Sequence, residues 1–253
     1  MQVSTPSAAA FAAAALEVIE RVSRNQAEGV ARSAMLITEA LAAGGIIQAF
    51  GTGHSEAFAM EISGRAGGLV PSNKIALRDV VMYGGRPLEV LNGADLERST
   101  ESAGLLYELT APHSADVFVL ASNSGVNGCV VELALLAKEK GHRVIGITSA
   151  EHTAGVPPKH PSGLRLRDVV DVALDNGAPY GDALLPMAGG GNACGISSIT
   201  TALLAQQMVA EVIRRIEDAG DVPPVYLSAN IPGGDEHNRE LEARYVGRIR
   251  RTA

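Results

Sequence analysis

The sequence predicts a three-layer α/β fold: a doubly wound parallel sheet of five strands between helices, with an N-terminal helical extension. Three observations carry that prediction. The β-rich runs are continuously apolar rather than alternating, as in strands buried on both faces. Helical periodicity separates them, which is what parallel strands need for their crossovers. A unit of strand, glycine- and serine-bearing loop, and helix occurs twice, from residue 46 and again from residue 116.

The elements follow in order. Thr5-Pro6 reads as an N-cap with proline at the first helical position. Leu16, Ile19 and Val22, then Val30, Ala34, Ile37 and Leu41, recur at helical steps, giving one amphipathic helix, or two with a break near 25–29. Gly44-Gly45 ends them. Residues 46–50 form the first strand and lead through Gly51-Thr52-Gly53-His54-Ser55 into a helix over 56–65. Residues 116–121 form the next strand, followed by Ser122-Asn123-Ser124-Gly125-Val126-Asn127 and a helix over 129–140. Strands are expected at 143–149 and 169–174, with a fifth at 225–228. A long helix over 196–217 lies between these last two. Segments 71–99 and 150–161 lack periodicity, and loops of that length in a compact domain are often functional.

The 253 residues fit one large domain better than two small ones, at about 150 residues each. It divides into a helical arm (1–43), a core (44–230) and a tail (231–253). A hydrophobic content of 46% suffices for a full core, and 4% aromatics means that core is aliphatic. A net charge of -7 disfavours nucleic-acid binding. Cys129 and Cys194 form neither a metal spacing nor a disulfide framework, which suggests a reduced, cytoplasmic setting. The apolar patch over 8–16 has no preceding Lys or Arg, unlike a signal peptide, and no stretch is long enough to span a membrane.

Ligands of open parallel sheets bind beyond the carboxyl ends of the strands. Both loops end strands there and open helices, whose unpaired N–H groups and dipole attract anions. Neither loop contains Lys or Arg or matches a P-loop, which favours a small monophosphate over a nucleoside triphosphate. Either loop could instead be an ordinary turn with serine as N-cap. Gly51-x-Gly53 is a weak dinucleotide signal, because Glu56 stands where a third glycine belongs.

The pair Gly-Thr-Gly-His-Ser (51–55) and Ser-Asn-Ser-Gly-Val-Asn (122–127), with Gly146-Ile147-Thr148-Ser149 ending the following strand, resembles the sugar isomerase (SIS) domain family. The resemblance covers roughly residues 35–230. It implies a five-stranded parallel sheet that binds sugar phosphates, in isomerases, in etherases acting on muramic acid 6-phosphate, or in sugar-sensing regulators. Phosphate would be held by Gly53, His54, Ser55, Ser122 and Ser124, with Asn123, Asn127 and Thr148 nearby. Glu61-Ile62-Ser63-Gly64-Arg65 is similar to the Glu-Leu-Thr-Gly-Arg stretch of the sedoheptulose 7-phosphate isomerases, whose glutamate is the acid/base.

Glu61 lies seven residues after His54, about 10 Å along a helix, a suitable reach from the phosphate to the carbonyl end of a sugar. Its bland alternatives are a surface position or an internal pair with Arg65. His237, in a polar glycine loop, is nominated to open the ring or to polarise the carbonyl, since such enzymes often use a C-terminal histidine, sometimes from a neighbouring subunit. It could equally be a solvated loop histidine, and Asp235 reads as the N-cap of the last helix. Ala57 stands where that branch has a zinc-associated histidine, and the 196–217 helix has no histidine. No metal or cofactor is expected, and His152 and His160 lack ligand spacing. Segment 175–183 together with His160-Pro161-Ser162-Gly163 looks like an uncharacterised bacterial SIS branch. The expected function is aldose–ketose isomerisation through an enediol. The alternatives are an amino-sugar-phosphate lyase or etherase, or a binding protein without catalysis. A homodimer or homotetramer is expected from the long apolar helices.

Overall fold

The computed structural model describes residues 6–250. Helices α1 (Ala8–Asn25) and α2 (Ala27–Ala42) are split by the single residue Gln26. Thr5 lies outside the described residues, and the α1 N-cap is Ser7, whose hydroxyl accepts from the Ala10 amide at 3.2 Å. Next come β1 (Ile47–Gly51), α3 (Glu56–Ile62), β2 (Ser72–Ile75), α4 (Asp79–Met82), α5 (Asp95–Arg98) and α6 (Glu101–Thr110). They are followed by β3 (Val117–Ala121), α7 (Gly128–Glu139), β4 (Arg143–Thr148), α8 (Ala150–Gly155), α9 (Leu166–Val169) and β5 (Val172–Asp175). A hairpin, β6 (Ala183–Pro186) with β7 (Asn192–Gly195), precedes α10 (Ser197–Asp218) and α11 (Gly234–Glu242).

The five-stranded sheet is parallel throughout, in the order β2-β1-β3-β4-β5. β1 and β3 are buried along their whole lengths, which explains their unbroken apolar runs. Their side chains alternate between two cores. Val117, Val119 and Ala121 face α1, α2, α3 and α10, whereas Phe118 and Leu120 face α6, α7 and α9. Residues 8–42 are therefore packed rather than free-standing: Val18, Val22, Val30, Ala34 and Ile37 cover one face of the sheet.

Two expectations are corrected. The fifth strand is Ser72–Ile75, not 225–228, where Val225 makes only an isolated antiparallel bridge to Leu69. The true strand is polar, so apolar patterning could not reveal it. Its Asn73 side chain donates to Gln48 Oε1 at 3.2 Å and accepts from the Arg250 amide at 3.0 Å. α3 also stops at Ile62 rather than 65, where Ser63 turns extended and Gly64 takes a positive φ of 73°. The tail runs along the amino edge of the sheet, where Arg248 pairs with the buried Asp116 at 2.5 Å.

Candidate functional site

Strand order reverses between β1 and β3, and in open α/β sheets the ligand crevice lies at that switch, beyond the carboxyl ends. Right-handed crossovers carry α3 to one face and α7 to the other. Phe58, Ala59 and Ile62 join one core, while Val130, Leu133 and Ala137 join the other. Gly51 is paired in register with Ala121. Thr52 and Ser122 therefore leave adjacent strands side by side, and the two serine loops start next to each other at the switch point.

In the first loop, Gly53, His54 and Ser55 form a single 3-10 turn closed by the Ser55 amide on the Thr52 carbonyl at 3.0 Å. The turn folds so tightly that a Cβ on Gly51 would lie 2.1 Å from the Ser55 carbonyl oxygen. Only glycine fits there. His54 is exposed and Ser55 half-buried.

The second loop is held from several sides. Ser122 Oγ accepts from the Gly125 amide at 3.1 Å, and Gly125 has φ +63°. Asn123 Oδ1 accepts from the buried Asn176 at 3.0 Å, which also donates to Thr201 Oγ1 at 3.4 Å. The Ser124 carbonyl accepts from Thr153 Oγ1 at 2.9 Å. Thr148 supports the loop from beneath, its methyl 3.0 Å from where a Cβ on Gly125 would stand. The loop delivers the N-terminus of the twelve-residue α7, with Asn127 as N-cap, into the crevice.

Sequence reasoning missed Glu97, on the short helix α5. Its Oε1 accepts from the Asn127 side-chain amide, and its Oε2 lies 3.9 Å from a Cβ placed on Gly53. One carboxylate thus reaches both loops. The Arg98 carbonyl seats α5 on α7, only 2.1 Å from a Cβ placed on Gly128. The contact is non-local and falls in a segment without periodicity, so no sequence signal marked it. Burial, aided by the Glu97 charge, pushes the Cys129 thiol up to about 12, which rules it out as a thiolate nucleophile at neutral pH.

Glu61 sits on α3 facing α10. Its Oε1 accepts from Gln206 Nε2 at 2.6 Å and pairs with Arg65, so the internal pairing considered above does form. Glu56 at the start of α3 is paired with Arg78, and with Lys74 at 3.7 Å. His237 is not brought to the loops within one chain. It lies on α11 with Nε2 3.0 Å from the Val225 carbonyl, and Val225 bridges Leu69 at the amino end of β2. The N-cap of α11 is Gly233, in a left-handed conformation, and not Asp235. His160 is buried between Glu132 and Ser162, each at 2.7 Å. Among the described residues, no three His, Cys, Asp or Glu side chains cluster as a metal site, and no helix is long and apolar enough to cross a membrane.

Known proteins share this sequence pattern and this fold. Residues 10–149 match the SIS domain model. A UPF0309 protein of Listeria monocytogenes is 39% identical over 238 residues, covering 93% of this chain and 95% of that protein. One of Geobacillus thermodenitrificans is 37% identical over 92% of each chain. Among solved structures, a phosphoheptose isomerase from Neisseria gonorrhoeae superposes with a TM-score of 0.56 at 20% identity, over 81% of this chain and 96% of that one. A protein of Escherichia coli CFT073 in complex with a sugar phosphate gives 0.51 at 15% identity, over 82% and 88%. The fold is thus that of phosphosugar isomerases, and the chain belongs to the SIS domain family, in the branch formed by the UPF0309 proteins.

Proposed function

We propose that this protein is a sugar-phosphate aldose–ketose isomerase working in the crevice between the β1 and β3 loops. One observation carries the reading: the Gly51–Ala121 pairing puts two anion-attracting loops at one switch point. The phosphate is held by the backbone amides and hydroxyls of Gly53, Ser55, Ser122 and Ser124 and by the α7 N-terminus. Asn123 and Asn127 line the cup, Thr148 keeps its floor in place, and His54 stands at its rim. The sugar chain extends along α3 toward Glu61. Glu61 Oε1 is held by Arg65 and Gln206, so the carboxylate is oriented while Oε2 takes the C2 proton and returns it to C1 of the enediol. The sugar phosphate bound by the Escherichia coli protein supports a phosphosugar ligand for this fold.

The same pairing of Glu61 also favours a second reading, a protein that binds phosphosugars without turnover. Incubation with pentose, hexose and heptose phosphates in deuterated water separates the two. Isomerisation deposits solvent deuterium on carbon and gives a ketose, a lyase releases the eliminated group, and a pure binder does neither. Glu61→Gln is expected to lower kcat by about 10²–10⁴-fold while sugar phosphate still binds. Unchanged turnover would remove Glu61 as the base. We also propose a homo-oligomer, dimer or tetramer. Met60, Met82 and Tyr83 stand 56%, 65% and 45% exposed, and all three border one cavity beside α3. His237, remote from its own chain's loops, would enter a site only from a second copy.

A further inference from the structure

We propose that Glu97 is a specificity-determining residue: its carboxylate makes the cup take a phosphate ester that carries one proton and reject a sulfate or sulfonate of the same sugar. This rests on the phosphate cup proposed above, and not on any turnover there. Backbone amides and serine hydroxyls do not tell one tetrahedral oxyanion from another. A carboxylate among them does, because it only accepts hydrogen bonds, and only an anion with a P–O–H group has a hydrogen to give it.

The close packing of α5 on α7 puts the carboxylate there. The Arg98 carbonyl lies against Gly128 where a side chain would not fit. Glu97, one residue earlier, reaches the start of α7, and its Oε1 accepts from the Asn127 side-chain amide. Its charge is felt at Cys129, in the first turn of that helix. Asn127 occupies the N-cap without capping its own helix, and its Oδ1 is buried without a partner. A residue well suited to capping is used instead to orient a carboxylate. Oε2 then lies 3.9 Å from a Cβ placed on Gly53, toward the first loop. Among the described residues no cation pairs with Glu97.

A carboxylate so placed sorts anions by their protons. A phosphate monoester has its second pKa near 6, so its monoanion is present in neutral solution. The P–O–H of that monoanion donates to Oε2, while its other oxygens accept from the two loops and the α7 N-terminus. A sulfate ester has the same shape and the same single charge but no such hydrogen. It sets an S–O oxygen against Oε2 with nothing to bond them. A charged acceptor left facing another acceptor is costly, and a lost hydrogen bond of this kind separates ligands of equal size most sharply.

Glu97→Gln tests this by a gain rather than a loss. Glutamine still accepts from Asn127 through Oε1 but presents an N–H where Oε2 stood. Titration calorimetry of the full chain at pH 6 compares glucose 6-phosphate and ribose 5-phosphate with the matching sulfate esters. Wild type is expected to favour each phosphate by at least about 10²-fold. In Glu97→Gln the sulfates should bind at least about tenfold tighter than to wild type, and the preference should shrink to within about threefold. A damaged fold cannot give that gain. Equal binding of phosphate and sulfate by wild type overturns the proposal and leaves the cup standing, and so does a preference that survives in the variant. Weaker binding of both esters by the variant assigns Glu97 a structural role and also overturns it. If neither phosphate ester binds wild type, the cup and this proposal fall together.

Discussion

Gly125 shows what a single residue contributes to the crevice. It holds φ at +63° with Thr148 Cγ2 and Thr153 Oγ1 at 3.0 and 3.3 Å from a Cβ placed on it. Alanine there costs about 1–2 kcal/mol for the left-handed backbone alone, and it pushes the loop off Thr148. Gly125→Ala is therefore expected to lower the denaturation midpoint and weaken sugar-phosphate binding together. Full stability with full binding would show that the loop conformation is not required. At this scale the sequence was readable where residues are local: the two loops and Glu61 stand in short runs of distinctive composition. Glu97 was not readable, because it meets the second loop through a contact many residues away, with Asn127.

At the scale of elements, Asp171 ties α7 to the entry of β4. It accepts from Lys138 Nζ at 2.6 Å and from the Val144 amide at 2.8 Å, with Arg143 at 3.4 Å. Burial works against its charge, but the Lys138 hydrogen bond, the Val144 amide and both cations outweigh it and hold the carboxyl below its ordinary value. A lowered folded pKa means that its stabilisation is complete above the unfolded value of about 3.9 and is lost as pH falls through the folded value. Asp171→Asn should cost about 1–3 kcal/mol at neutral pH and flatten the stability–pH curve below about pH 4. An unaltered acid limb would assign that limb to other carboxylates. Long periodic elements were legible here: α7 and α10 fall within a residue of expectation, and the break between α1 and α2 falls inside the expected 25–29. β2 was hidden by its Ser-Asn-Lys sequence, and the β6–β7 hairpin by its glycine-rich turn. Both are defined by neighbours in space rather than by a pattern along the chain.

At the scale of the whole molecule, winding direction decides where the site can be. α3 and α7 leave adjacent strands for opposite faces, and the gap between them is the one place where both loops meet. The exposed side chains of Met60, Met82 and Tyr83 predict a homodimer or larger by light scattering at micromolar concentration. A monomeric mass would contradict it, and would also leave His237 without a site to join. The central claim is that one crevice grips the phosphate of a sugar, and thermal unfolding with sugar phosphates and their unphosphorylated parents tests it most directly. The account predicts that at about 100 times its dissociation constant a sugar phosphate adds about 2.7 kcal/mol of stability, that the parent sugar adds none, and that Ser55→Asp or Ser124→Asp abolishes the gain. Equal effects of phosphorylated and free sugar, or an undiminished response in both aspartate variants, would contradict it.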